Sequence, residues 1–215
     1  MSLPKPMKQV ILGVVALSAV AGTGSLRAQS NIYSLNVVGY YNVDCPAGQR
    51  ILICNQLATT NDHLSSILPG PWADGTIVFP YFVSYNASPW DTDANAWSSD
   101  FELPVGRGSF LYSQVHQTFT FVGEVPQGTF TNRFLRNGRS IYGPFPPLEE
   151  TLSQMNLPAQ DGDIAFQYRN GYTASPYDTD AVAWSADFTN KVGEAFFYYK
   201  GSGNLTNWVM NFTVQ

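Results

Sequence analysis

Residues 87–101 read ASPWDTDANAWSSDF and residues 174–188 read ASPYDTDAVAWSADF, identical at twelve of fifteen positions at an offset of 87. A unit written twice restricts the chain to architectures in which one supersecondary unit packs beside its copy. The same offset pairs Asp74-Gly75-Thr76-Ile77 with Asp161-Gly162-Asp163-Ile164, and Val105-Gly106 with Val192-Gly193. With small gaps the match runs upstream, where Leu68-Pro69 meets Leu157-Pro158, and Gly48 before Arg50-Ile51 meets Gly138 before Ser140-Ile141. One strand-like segment opens the first unit (35–39), joins the two (120–123) and closes the chain (211–214). The repeat predicts units at 31–122 and 123–215, with no Gly/Ser or Pro-rich tether between them.

Aromatic residues make up 14% of the chain and charged residues 13%, while 18 Gly and 14 Pro cut it into short pieces. That balance suits half-buried pleated surfaces and excludes disorder. Strands are predicted over 51–55, 76–85, 108–113, 164–168 and 194–200. The Asp-containing block of each repeat reads as a loop, because Pro, Asp and Ser favour turns. Apolar residues three or four apart over 61–67 and 148–155, stopped by Pro69 and Pro158, predict one short helix per unit. The expected fold is all-β: two tandem homologous small β-sandwich or barrel units, closely packed.

Residues 1–30 carry Lys5 and Lys8, an uncharged apolar run over Val10–Ala21 and then small residues, the pattern of a secretory signal peptide. The run is shorter than the roughly 20 residues that cross a bilayer. Cleavage is expected after Ala28 or Ser30, the small-residue spacing favouring the second. Removal of Lys5, Lys8 and Arg27 takes the 11 basic residues to 8 against 16 acidic ones, so the formal charge goes from −5 to −8. Nucleic acid is excluded as a partner for want of a basic footprint, and no membrane span is expected after cleavage. The destination is periplasmic, cell-surface or extracellular. There the two cysteines, Cys45 and Cys54 around the turn Pro46-Ala47-Gly48-Gln49, are expected to form a disulfide. Asn86, Asn204 and Asn211 begin Asn-x-Ser/Thr sites, which matter only in a glycosylating host.

The segment Ile32-Tyr33-Ser34-Leu35-Asn36-Val37-Val38-Gly39-Tyr40, the bridge Phe121-Val122-Gly123-Glu124-Val125-Pro126-Gln127-Gly128 and the aromatic runs after both Val-Gly turns resemble a group of exported two-repeat all-β proteins of environmental Gram-negative bacteria. The resemblance spans nearly all of the chain after residue 30. It implies export and fold and carries no catalytic residue across; Cys45 and Cys54 depart from it.

Among chemistry-bearing residues the repeated loops stand out. Asp91, Asp93 and Asn95 place oxygens at alternate positions, as a calcium loop does, and Asp178 and Asp180 repeat them with Val182 in the third place. The competing reading is carboxylates capping their own turns. Trp90 and Tyr177, each beside an acid, are candidate sugar platforms; the competing reading makes them lids on the end of the fold. Trp97 and Trp184 read as core. His63 and His116 have no counterparts in the other repeat, and nucleophile elbow, phosphate loop and zinc pattern are all missing. The expectation is a secreted non-enzymatic protein with a structural or surface-associated interaction role. The alternative is an extracellular carbohydrate-binding module assisted by calcium, with polysaccharide or cell-surface and matrix proteins as partners.

Overall fold

The computed structural model describes residues 37–81, 84–134, 138–201 and 205–214. Residues 1–30, expected to be the export signal, both expected cleavage points and Asn204 lie outside them. The chain is all-β, with several antiparallel sheets, none closed on itself. Its strands are β1 (Val38–Cys45), β2 (Gln49–Cys54), β3 (Ile77–Pro80), β4 (Ser88–Asp91), β5 (Ala96–Trp97), β6 (Gly108–Ser113), β7 (Gln117–Glu124) and β8 (Gly128–Phe134). They continue as β9 (Arg139–Tyr142), β10 (Glu150–Thr151), β11 (Ile164–Tyr168), β12 (Tyr172–Asp178), β13 (Ala183–Trp184), β14 (Thr189–Asn190), β15 (Phe196–Tyr199) and β16 (Thr206–Phe212).

Two five-stranded sheets form, in the orders β2-β6-β3-β4-β5 and β9-β15-β11-β12-β13. Their registers agree. Val78 pairs with Leu111 and Ser88, and Ala165, 87 positions on, pairs with Tyr198 and Ser175. Trp90 pairs with Trp97 as Tyr177 does with Trp184. Two-stranded ribbons join the outermost strands of each stretch: β1 with β7, and β8 with β16. The strand-like segments at 120–123 and near the chain end therefore pair within the molecule.

Alternation then sorts the side chains. In the first sheet Ile53, Val78 and Leu111 point to a core shared with Tyr41, Phe119 and Phe121 of the ribbon. In the second, Tyr142, Ala165, Phe196 and Tyr198 do the same with Phe134 and Trp208. The opposite faces meet each other. Leu52, Cys54 and Phe110 pack on Ile141, Ala195 and Phe197, with Phe79, Tyr81, Phe166 and Tyr168 around them.

This joint has two-fold character. Phe110 and Phe197, 87 apart, touch with centroids 5.6 Å apart. Tyr81 meets Phe197 at 6.3 Å, and the counterpart contact of Tyr168 with Phe110 is 5.1 Å. The bridge Ile53–Glu194 has its counterpart in Tyr142–Arg107. Cys54 N donates to Gly193 O at 2.8 Å, and Gly143 N to Gly106 O at 3.2 Å. The end of β2 thus reaches the turn at Gly193, and the end of β9 the turn at Gly106.

Four expectations are corrected. Cys45 and Cys54 are both free and buried. Cys45 faces the first core and Cys54 the joint, on opposite sides of β2. Five strand steps separate Gln49, beside Cys45, from Cys54; at about 3.3 Å each they span roughly 16 Å, well beyond the Cα separation of about 4.4–6.8 Å that a disulfide allows. Leu64–Ile67 is a one-turn helix, α1, whereas 148–155 forms β10 and a single turn. There Thr151 and Gln154 cap each other's amides at 2.9 and 3.3 Å, and Asn156 turns left-handed at φ 49° and ends the turn. The Asp block is strand up to Asp91 and Asp178, because Ser88 and Trp90 point inward while Pro89 points out. Arg50 matches Arg139 and not Ser140: Leu52 pairs with Phe110 as Ile141 does with Phe197, an offset of 89. The one-residue slip exchanges the two faces of the strand.

Candidate functional site

The sequence-marked loops are small turns. Asp91 Oδ1 accepts from the amides of Asp93 and Ala94, both at 2.9 Å, and Asp178 Oδ1 accepts from those of Asp180 and Ala181 at 2.8 and 2.9 Å. Asn95 follows at φ 50°, where a short amide side chain tolerates the left-handed region. Asp93 and Asp180 are exposed beside them. The two loops belong to different sheets, and among the described residues no group of three His, Cys, Asp or Glu gathers. Val182 takes the place of Asn95, at φ 52°, with 73% of its surface exposed. A β-branched residue is strained there. Val182→Gly is expected to raise stability by about 1 kcal/mol, measured as a higher urea midpoint; an unchanged or lower midpoint contradicts the strain.

Trp90 is only 4% exposed, set edge-on to Trp97 at 5.2 Å and lying over Gly70, where an added Cβ would meet its ring at 2.4 Å. Tyr177 is half-buried against Trp184 at 5.1 Å. Neither offers the free ring face that sugar stacking needs. Trp97 and Trp184 are buried, as expected for core residues. His63 joins Asp100 at the start of α1, its Nδ1 2.8 Å from the Asp100 carbonyl. Asp100 Oδ1 accepts from Ser65 N at 2.8 Å, as Asp187 does from Ser153 N at 2.9 Å. These repeated acids cap turns. His116 is an exposed turn residue.

The strongest site lies at the joint. A cavity of about 350 Å³ is walled by Tyr81, Tyr85, Phe166, Tyr172, Phe197 and Arg139 among its nine lining residues. A smaller one of about 250 Å³ is lined by Arg50, Phe79, Tyr85 and Phe110. Arg139, Phe166, Phe197 and Tyr172 are the counterparts of Arg50, Phe79, Phe110 and Tyr85, so the two cavities are two copies of one arrangement. Between them stand Tyr85 and Tyr172, 47% and 56% exposed. Burial and then the neighbouring Tyr172 and Tyr81 push the Tyr85 phenol well above its usual range. Tyr172 is also raised, by burial first, with the charges of Arg139 and Arg50 pulling the other way. Both phenols stay protonated and neutral, available as donors and acceptors. Arg50 lies 5.2 Å over the Phe79 ring. Among the described residues neither Arg50 nor Arg139 has a carboxylate within ion-pair distance.

Only the spacing could have disclosed these residues in advance. The offset of 87 that aligns the two Asp blocks also aligns Phe79 with Phe166, Tyr81 with Tyr168 and Tyr85 with Tyr172. No family model, curated protein or solved structure matches the chain.

Proposed function

We propose that the protein is exported, is built from two homologous β units each packing a sheet on a ribbon, and acts by binding an extracellular polymer in the groove where the units meet. The observation that carries this reading is the groove itself: apolar ring walls, two exposed tyrosine hydroxyls and two arginines without ion-pair partners converge there. Pockets of this volume with apolar walls and a few convergent polar groups are the usual form of a ligand site. Binding without turnover fits the lining, in which no carboxylate or imidazole stands ready for proton transfer. On this reading the interaction surface is the joint, and the sugar platform passes from Trp90 and Tyr177 to Tyr85 and Tyr172.

Affinity electrophoresis through gels containing acidic or neutral polysaccharides tests the site. The parent protein is expected to be retarded in at least one gel, and Tyr85→Ala with Tyr172→Ala to weaken that binding at least tenfold, since stacking worth about 1 kcal/mol per ring amounts over two rings to roughly thirtyfold. An unretarded parent, or a double variant that migrates like it, overturns the reading.

A further inference from the structure

Resting on that reading, we infer that the groove is a two-subsite receptor for a polysaccharide of carboxylate-bearing sugars, with Arg139 and Arg50 each holding one carboxylate while the exposed rings of Tyr172 and Tyr85 support the sugar rings.

The charge of the ligand follows from the arginines. The chain has 16 acidic residues against 11 basic ones, yet among the described residues Arg50 and Arg139 have no carboxylate within ion-pair distance. A guanidinium is always charged and presents a planar fork of donors that matches a carboxylate. Arg50, lying over the Phe79 ring, is held by a cation–π contact, which orders the side chain before a ligand arrives. The groove also stands at the edge of aromatic walls, where a charge-assisted bond is less diluted by water than on an open surface.

The choice of sugar over peptide follows from the walls. The strands behind the groove spend their amides on one another: Phe166 pairs with Phe197 and with Ala174, and Phe79 with Phe110. A peptide laid on these rings would bring an amide at every residue with no partner, each costing the desolvation of a buried polar group. A pyranose keeps its hydroxyls at the rim and turns C–H faces to the rings, while the hydroxyls of Tyr85 and Tyr172 meet that rim at the centre.

The number of subsites follows from the two-fold joint. The lining of the smaller cavity is repeated residue for residue in that of the larger. A chain spanning both engages the second arginine intramolecularly, so affinity rises with length beyond either single contact.

Calorimetric titration of the full protein with uronic-acid oligosaccharides provides the test: oligogalacturonates, alginate oligomers and hyaluronan oligomers, each from one to eight units. At least one series is expected to bind with affinity rising about 100-fold or more from monomer to the spanning length. Arg50→Gln and Arg139→Gln are each expected to weaken the long oligomer about tenfold and to reduce the salt dependence, with circular dichroism unchanged. Methyl-esterified oligogalacturonate is expected to lose the same factor as the arginine variants. Equal binding of acid and ester, or indifference to both arginines, overturns the carboxylate assignment while leaving a groove that depends on Tyr85 and Tyr172. Polyglutamate binding as tightly as the best uronic series overturns the sugar assignment. A monomer as tight as the longest oligomer overturns the second subsite. If no probe binds and no neutral polymer responds to the tyrosine variants, the binding reading itself falls.

Discussion

Replacing Asp163 by Asn is expected to cost the fold about 3–5 kcal/mol, the range for leaving a buried charge without its partner. For a chain of this size that is roughly 10 °C of melting temperature. Asp163 and Lys200 are both fully buried, with Lys200 Nζ 2.6 Å from Asp163 Oδ2. The carboxylate also accepts from the Tyr198 hydroxyl at 2.8 Å, Gln160 N at 2.9 Å and Gly201 N at 3.0 Å. The ammonium has one further partner, Gln160 Oε1 at 3.1 Å. The two members of the pair are therefore unequal. Without Lys200 the carboxylate keeps three donors; without the carboxylate Lys200 keeps one neutral acceptor. Asp163→Asn is accordingly expected to be the more damaging change and Lys200→Met the milder. Combining the two should recover much of the Asp163→Asn loss, because no bare ion remains and the Tyr198 hydroxyl can turn to accept from the new amide. Urea unfolding of the three variants measures this. An inverted order, or a loss below 1 kcal/mol for Asp163→Asn, contradicts the account.

The pair also marks where the two halves differ. Thr76 and Ser113 hold the matching positions in the first half, where Gln117 Nε2 donates to both, at 2.8 and 2.6 Å, and Gln117 Oε1 accepts from Ala73 N at 2.9 Å. A neutral network does in one half what an ion pair does in the other. The hydrogen bond and the burial both raise the Tyr198 phenol far above its usual range, burial first, so its hydroxyl remains a donor to Asp163 at any pH the fold survives.

What could be read from the sequence follows from which constraints are local. The offset of 87 carried the register of β3 to β6 onto that of β11 to β15, because identical turns fix the strands beside them. Turn chemistry was legible in the same way, down to Asp91 and Asp178 holding their own loop amides. Side-chain direction was not. Leu52 and Ile53 are both apolar and both buried, one in the joint and one in the first core, so β2 shows no alternation to reveal two faces. A sheet buried on both sides hides its register, and Arg50 was matched to Ser140 for that reason. The cysteines misled through sequence proximity, since the turn after Cys45 leads into β2, whose extended run carries Cys54 away from it. The candidate site was the least visible part. Its residues come from β2, β3, β6 and their counterparts, and only the packing of the two sheets brings them together, while Trp90, prominent in the repeat, is consumed by the core.

That packing makes its own prediction at Gly108, a position without left-handed backbone where space alone decides. A Cβ added there would lie 2.4 Å from Ile141 Cγ2, 2.6 Å from Ala195 Cβ and 3.1 Å from Ile53 O. Ala195 is the counterpart of Gly108 at the offset of 87, and the two positions face each other across the joint with Ile141 beside them. Gly143 and Cys54 repeat the pattern, a Cβ on Gly143 falling 2.7 Å from Cys54 Sγ. Gly108→Ala is expected to destabilise by about 2–3 kcal/mol, the upper part of the range for overpacking. Ala195→Gly removes the opposing methyl and costs about 1 kcal/mol in a strand. The double exchange takes away the Ala195 contact and leaves the one with Ile141 Cγ2, so it should restore part of the Gly108→Ala loss, a coupling that independent sites would not show. The single variant should also weaken polymer binding in the groove, since Phe110, two residues along β6, is carried on the displaced strand. Additive stabilities in the four-member cycle would mean that the halves do not meet as described, and the groove at their joint would lose its structural basis.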